Sequence, residues 1–197
     1  MSRRRHSLIV TLSGGAMWWR RMRNAAWVVV AALAVVVGVG LPIYVFPPVD
    51  QVERADLIYV IGPVTNPRLD LAEELRDAGV ADRILISVAA EGPESAASFD
   101  ICTEPAVECA HPEPFTTKGE AGLLSQLAPE ADDVVVITFT PHVARTRFVF
   151  DRCSEATVTV MAAEHPVSLA AWTYQYLYQT AAFMKSWLTP CTDDSEP

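Results

Sequence analysis

The sequence predicts an α/β domain with a parallel sheet, preceded by one membrane-spanning helix. Three observations predict this fold class. An uncharged apolar stretch near the N-terminus is long enough to cross a bilayer. Downstream, short runs rich in β-branched residues alternate with amphipathic segments of helical length. Some of these runs lead straight into residues that favour a helix start, as in right-handed βαβ units whose sheet is covered on both faces.

The apolar stretch covers residues 25–46, and these 22 residues include no charged side chain. As a helix the stretch would be roughly 33 Å long, which spans a bilayer core. A cleaved signal peptide is the alternative, but its apolar region is usually about 7–15 residues long and ends at a small-residue cleavage site. Here Pro47 and Pro48 follow instead. We therefore expect an uncleaved anchor.

The charges on the two sides of this stretch predict its orientation. Six arginines and no acidic residue precede it, so the positive-inside rule places the N-terminus in the cytoplasm. The predicted protein is a single-pass plasma-membrane protein with an extracytoplasmic domain. Its parts are a mobile basic tail (1–24), the span (25–46), a linker that spaces the domain from the lipid (47–54), the outer domain (55–188) and an acidic tail (189–197).

The outer part is strongly acidic. From Asp50 onward it has 9 Lys and Arg against 24 Asp and Glu, a net charge of −15. Nucleic-acid binding requires a basic face, so this charge excludes nucleic acid as a partner.

All four cysteines lie in the outer part, and an even number outside the membrane predicts two disulfides. We expect the pairs Cys102–Cys109 and Cys153–Cys191, although three pairings are possible. A zinc site that uses Cys102, Cys109 and His111 is a weaker alternative, because paired CxxC spacing and a clear fourth ligand are missing.

Strands and helices follow in alternation. The first apolar strand ends in Gly62, and Asn66-Pro67 then supplies a helix cap and a proline suited to the first turn. A long loop held by one disulfide is predicted for 89–115, which is rich in proline and glycine. The acidic pair before Val134 begins a continuous buried strand, and Thr140-Pro141 is predicted to cap the next helix. The predicted strands are 55–62, 83–88, 134–139 and 156–162, and the predicted helices are 66–79, 116–128, 141–153 and 168–188.

Two arginines lie where a strand passes into a helix. Arg68 and Arg145 both fall in a first helical turn, where the helix dipole disfavours a cation. Ligands of such sheets bind at the carboxyl ends of the strands. We therefore predict that both arginines hold one phosphate or carboxylate, with help from helix N-termini. The alternative is that each arginine pairs with a nearby acid, such as Asp70, Glu73 or Asp151.

Two titratable residues lie at the same junctions. Thr117-Lys118-Gly119-Glu120 fits a capping box, in which the glutamate bonds back to the cap. A role for Glu120 as general base or metal ligand is the alternative. His142 follows Thr140-Pro141, and the nearby dipole and arginines are expected to lower its pKa and keep it neutral. It is either a base, a donor to a bound oxyanion, or a capping residue.

The final helix has an aromatic stripe, which we expect to pack in the core. Lipid contact or a sugar-binding surface is the alternative for these residues. Fingerprints of nucleotide-binding, hydrolase and zinc-protease sites are missing from the sequence, so the identity of any cofactor stays unknown. The stripe consists of Trp172, Tyr176, Gln179, Phe183 and Trp187.

The segments just described resemble the SanA/YdcF/ElyC family, the bacterial domain of unknown function 218, over roughly 55–162. The matching pieces are the strand that ends at Gly62, the helix that opens with Arg68, Thr117-x-x-Glu120, and Thr138-x-Thr140-x-His142-x-x-Arg145. This chain departs from the family pattern at Pro63, where a glycine is usual, and at Val88-Ala89, where the family favours two glycines.

The resemblance implies a Rossmann-like three-layer fold and a link to envelope integrity and peptidoglycan precursor metabolism. It also implies that Glu120 faces the pocket. We therefore expect an anionic small molecule or a lipid-linked precursor as the ligand. Gly62, Arg68, Thr117, Thr138, Thr140 and Arg145 would bind it, and Glu120 and His142 would be acid–base candidates. A non-catalytic scaffold or sensor is the alternative, and S-adenosylmethionine binding, implied by a soluble relative, is a third.

Overall fold

The computed structural model describes residues 7–48, 50–163 and 166–191, with side chains from Met17 onward. The first residues of the predicted basic tail, Val49 of the linker, His165, and the acidic tail beyond Cys191 lie outside the described residues. The chain forms two compact units, Met1–Leu41 and Pro42–Pro197.

The first unit is helical. Helix α1 (Ser7–Gly40) continues through most of the segment assigned to the basic tail, and a π-helical turn, Leu41–Val45, follows it. Among the described residues, one helical stretch is long and apolar enough to cross a membrane. It covers Met17–Val45, with a mean hydropathy of 2.6, and it contains nearly all of the predicted span.

The second unit contains a five-stranded parallel sheet, which confirms the predicted fold class. Its order is β3-β2-β1-β4-β5, so the chain first moves outward from β1 to β3 and then returns to the other side of β1. The carboxyl edge between β1 and β4 is therefore the switch point at which such sheets bind ligands. The strands are β1 (Leu57–Val60), β2 (Ile84–Ser87), β3 (Val107–Ala110), β4 (Asp133–Phe139) and β5 (Thr157–Ala163).

Helices cover both faces of this sheet. Side chains of a strand alternate between its faces, so Ile58 and Tyr59 enter different apolar clusters. The cluster around Ile58 includes Ala72 of α2, and the cluster around Tyr59 includes Leu124 of α3 and Phe150 of α4. The helices are α2 (Asn66–Asp77), α3 (Thr117–Leu127), α4 (Val143–Cys153) and α5 (Leu169–Leu188).

The predicted long loop 89–115 is wrong in part, because it contains the edge strand β3. Two short 3-10 turns, Ala96–Ser98 and Asp100–Thr103, precede this strand. The strand has only four residues and none of them is fully buried, so it lacks the apolar run that reveals the other strands.

Both expected disulfides are present. Cys102–Cys109 joins the second 3-10 turn to β3, and Cys153–Cys191 joins the end of α4 to the residues after α5. These sulfurs are therefore not free to bind zinc as thiolates. Among the described residues, no cluster of three His, Cys, Asp or Glu side chains has the geometry of a metal site.

Residues that follow the candidate span contact α4 and the core of the second unit. Arg147 of α4 donates to the Asp50 carboxylate at 2.5 Å and to the Pro48 carbonyl at 3.4 Å. Val52 packs against the cluster around Ile58. The chain is thus attached to the domain within a few residues of the candidate span.

Gly119 in the first turn of α3 is predicted to be irreplaceable. A Cβ atom there would lie 1.9 Å from the Pro114 carbonyl oxygen, a backbone atom that cannot rotate away. A glycine-to-alanine change inside a helix normally stabilises by about 1 kcal/mol. We expect Gly119→Ala instead to destabilise the domain by about 1–3 kcal/mol, as overpacking does. Chemical denaturation measures the change, with Gln126→Ala at an exposed position of α3 as the control. Stabilisation by Gly119→Ala would contradict this prediction.

Candidate functional site

A cleft of about 850 Å³ opens at the switch point of the sheet. Gly62 and Pro63 follow β1, Phe139 ends β4, and the first turns of α2 and α3 form further walls. One side of α5 forms the remaining wall. The cleft has the size of a small-molecule site. Its charged lining residues are Arg68, Lys118, Glu120, Arg145 and Lys185.

Arg68 is buried in this cleft with only 4% of its surface exposed. One guanidinium nitrogen donates to the carbonyls of Ile61 and Pro63 at 2.7 and 2.8 Å. The guanidinium also lies over the Phe139 ring, 5.2 Å from its centre. Burial lowers the pKa of Arg68 to about 10, and Glu120 opposes that shift. Arg68 therefore stays charged at neutral pH.

No ion pair within 4 Å joins Arg68 to a carboxylate of the described residues. Its Nε atom is buried and has no hydrogen-bond partner there. Glu73, one of the acids expected as an alternative partner, lies beside Arg76 instead. A buried guanidinium without a directly paired carboxylate favours an anion nearby.

Arg145 extends from the first turn of α4 into the same cleft. Its Nε donates to the Gln179 side-chain oxygen at 3.0 Å, and its Nη1 donates to the Thr117 hydroxyl at 3.1 Å. Its guanidinium lies 6.0 Å from the centre of the Tyr178 ring. Burial lowers the pKa of Arg145, and Tyr178 and Glu120 partly offset this effect. Within the described part of the chain it pairs with no acid, including Asp151.

The predicted capping box at Thr117 is wrong by one residue. Thr116 is the N-cap of α3, and its hydroxyl accepts from the Gly119 N–H at 3.3 Å. Two threonines in succession made the register ambiguous. Glu120 consequently lies one position beyond the box, and its carboxylate is free to enter the cleft.

The side chain of Glu120 extends across the floor of the cleft to Gly62, which follows β1. Its Oε1 accepts from the Gly62 N–H at 2.7 Å, and the residue is only 4% exposed. Burial raises the pKa of Glu120, although the Gly62 N–H, Ser87 and the two arginines oppose that shift. The Ser87 hydroxyl is close enough to have this effect but makes no well-aligned hydrogen bond. Glu120 is the one carboxylate among the described residues that line the cleft.

His142 lies behind Thr117, and both of its ring nitrogens face threonine hydroxyls. Nδ1 is 2.9 Å from Thr138 Oγ1, and Nε2 is 3.3 Å from Thr117 Oγ1. Because Arg145 can only donate, the Thr117 oxygen accepts from it. Burial lowers the pKa of His142 far below its usual value, and Arg145 and Arg68 lower it further. The direction of this shift agrees with the expected neutral imidazole.

The N-cap role expected for Thr140 is wrong. Thr140 begins a 3-10 turn, Thr140–His142, and α4 starts only at Val143 with no side-chain cap. The proline at the second position suits this turn as well as a helix start, so the sequence did not separate them. Thr140 does not line the cleft, and Thr138 lies behind His142. The cleft does bring together the other predicted site residues: Gly62, Arg68, Thr117, Glu120, His142 and Arg145.

Residues at or beside the N-terminal ends of four helices line the cleft, namely Pro67 of α2, Lys118 of α3, His142 before α4 and Ala171 of α5. Unpaired N–H groups and the helix dipole make each of these ends partly positive. Four cationic side chains line the cleft against one carboxylate, so the side chains also contribute a net positive charge. The cleft is therefore electropositive within an acidic domain.

Most of the stripe expected in the core is not fully buried. Only Gln179 is, whereas Trp172, Tyr176 and Phe183 are half-buried and Trp187 is 61% exposed. Phe183 of α5 stacks on Phe148 of α4. A neighbouring side of α5 lines the cleft instead. The aromatic residues correctly indicated partial burial at some positions, but they did not show that one side of α5 packs on α4 while another lines the cleft. The wall of the cleft formed by Gln179 and Lys185 was not predicted.

The low pKa of His142 predicts a pH dependence of stability. Between its folded pKa and about 6.5 the unfolded chain binds more protons, so stability is lost as pH falls below about 6.5. The expected slope is about 1.4 kcal/mol per pH unit. Glu120, whose pKa is raised, stabilises the fold as the pH falls, which is the opposite effect. The contribution of His142 must therefore be measured against a variant that lacks only this residue.

Urea unfolding of wild type and His142→Asn between pH 7.5 and 5 isolates this contribution. The wild type should lose stability more steeply than the variant as the pH falls. Parallel curves would contradict a neutral buried His142.

Comparison of the chain with models of protein families, with curated proteins and with solved structures finds no match in any of the three.

Proposed function

We propose that this is a single-span envelope protein whose outer domain binds a phosphate-bearing cell-wall precursor. Two features support the orientation. The six arginines before the span favour a cytoplasmic N-terminus. The two disulfides of the outer unit are of the kind that persist in oxidising, extracytoplasmic compartments.

The environment of Arg68 carries the proposal of an anionic ligand. Burying a guanidinium without a counter-charge is costly, and Glu120 alone cannot balance Arg68 and Arg145 together. A bound anion would supply the missing charge. It would also use the donors of the surrounding helix N-termini.

Phosphate fits this cleft better than a carboxylate. Its three or more acceptor oxygens match donors that converge from Arg68, Arg145 and Thr116-Thr117. The resemblance to the SanA/YdcF/ElyC family supports a peptidoglycan or lipid-linked precursor as the carrier of the phosphate. The precursor's remaining groups would lie along the aromatic side chains at the mouth, Phe115, Phe139, Tyr174 and Tyr178.

Glu120 is the acid–base candidate that directly contacts a bound ligand. Burial raises its pKa, which favours the protonated form that a general acid needs. His142 reaches the cleft through Thr117, because both of its nitrogens are already hydrogen-bonded. We therefore assign His142 to the orientation of Thr117 and to proton transfer through that hydroxyl.

Native mass spectrometry of the full-length protein, released from its own membranes, tests the proposal. The wild type should retain a phosphate-bearing molecule that Arg145→Ala has lost. Arg147→Ala is the matched control, since Arg147 lies on the same helix and binds Asp50 outside the cleft. A phosphate-free ligand, or equal retention by Arg145→Ala, would contradict the proposal.

A scaffold or sensor that acts through protein contacts is the second candidate, and the exposed apolar side of α5 favours it. In that case Trp187→Ala would impair the envelope phenotype, while Arg145→Ala would leave it unchanged. The reverse pattern supports the binding proposal.

A further inference from the structure

Helix α5 has an inverted distribution of side chains. Its two buried residues, Gln179 and Ser186, are polar, and its most exposed residues are large and apolar. Leu177 is 72% exposed. At 100° per residue, one broad strip of the helix surface holds the exposed apolar residues Leu169, Leu177, Ala181, Met184, Trp187 and Leu188, and the exposed Thr173 and Thr180 also lie within it.

This apolar strip has a defined neighbour on each side. On one edge lies the cleft, which Tyr174, Tyr178 and Lys185 line. On the other edge Tyr44 packs edge-to-face on Tyr176, with ring centres 5.2 Å apart. The strip thus runs between Tyr44 and the mouth of the cleft.

Tyr44 belongs to the same compact unit as α5, and it is also the penultimate residue of the candidate span. Its hydroxyl donates to Thr180 Oγ1 at 3.0 Å, since the Thr180 proton is used by the Tyr176 carbonyl at 2.6 Å. The end of a membrane span lies at the bilayer surface. The part of α5 that contacts Tyr44 is therefore expected close to that surface.

The charges of α5 fit the same location. The helix has no acidic residue and one basic residue, Lys185, in a domain that is otherwise strongly acidic. Exposed Trp and Tyr side chains, here Trp187, Tyr174 and Tyr178, are typical of the membrane interface. Phe46, the residue just after the candidate span, is also exposed.

We propose that the apolar strip of α5 lies on the lipid surface of the membrane that anchors the chain. The burial of several large side chains in the interface drives this contact, as it does for amphipathic surface helices. The mouth of the cleft then lies beside the lipid. This inference rests on the membrane insertion proposed above but not on the identity of the ligand in the cleft.

Nitroxide labels on the full-length protein in lipid nanodiscs test the proposal. Single cysteines at Leu177 and Met184 report on the strip, Val35 reports on the span, and Glu74 is an exposed control on α2. Power saturation compares the collisions of each label with oxygen, which concentrates in lipid, and with a water-soluble nickel chelate. Intact-mass analysis verifies that both native disulfides have formed in each variant.

Labels at 177, 184 and 35 should collide more with oxygen than with nickel, and the label at 74 should show the reverse. If 35 is lipid-exposed but 177 and 184 behave like 74, the anchor is confirmed and the surface contact is overturned. If 35 also behaves like 74, membrane insertion itself fails. Dipolar broadening between labels at 177 would show that a second copy of the chain covers the strip, which also overturns the proposal.

Discussion

Arg145→Ala should weaken the binding of pyrophosphate to the outer domain by about 2–5 kcal/mol, the usual cost of truncating one partner of a buried charged contact. At about 1.4 kcal/mol per tenfold, affinity should fall roughly thirtyfold or more. The loss arises because Arg145 is the cation that Gln179 and Thr117 hold in position at the cleft wall. Isothermal titration calorimetry at low salt measures it.

Two variants make this result specific. Arg147→Ala removes the same charge from the same helix but outside the cleft, so its affinity should match the wild type. Arg145→Lys keeps the charge but loses the forked geometry and should bind with intermediate strength. Equal losses in Arg145→Ala and Arg147→Ala would reduce the effect to net charge and contradict a dedicated anion site.

Glu120→Gln should have the opposite effect on pyrophosphate affinity. The amide oxygen can still accept from the Gly62 N–H, so the fold is preserved while the negative charge of the cleft is removed. A nearby unit charge is worth up to about 4 kcal/mol at an effective dielectric of about 20. We therefore expect affinity to rise by about tenfold or more, since about 1.4 kcal/mol suffices for each factor of ten.

Glu120→Ala is the stability counterpart of this experiment. It leaves the Gly62 N–H without its acceptor and should cost about 1–3 kcal/mol of unfolding free energy, which Glu120→Gln should largely spare. Calorimetric binding and urea unfolding of both variants separate the two roles. Weaker pyrophosphate binding in Glu120→Gln would indicate that the carboxylate holds a cation or a ligand hydroxyl instead.

The sequence predicted the central fold because its signals there are strong. The runs around Tyr59 and Val136 are continuous and β-branched, and only a parallel sheet buried on both faces requires such runs. The site followed from the same topology. Carboxyl ends of neighbouring strands meet at one edge, so arginines at two junctions had to come close to one another.

The features that sequence reasoning missed depend on contacts between distant segments. Strand β3 at the sheet edge is short and half-buried, so it has no run to recognise. The register of α3 depended on which of two adjacent threonines rotates to the cap. How α5 crosses the cleft depends on Phe183, Tyr44 and Arg145 together, and no local pattern specifies it.

The disulfide Cys153–Cys191 makes one wall of the cleft dependent on the redox state of the surroundings. Thr189, two residues before Cys191, lines the cleft, and its carbonyl and hydroxyl accept from Lys118 at 2.6 and 2.7 Å. The disulfide holds this segment against the end of α4. In a reducing cytosol that covalent tether is missing, and the wall at Thr189 depends on hydrogen bonds alone. Oxidation of these two cysteines would thus secure the wall of the cleft at Thr189.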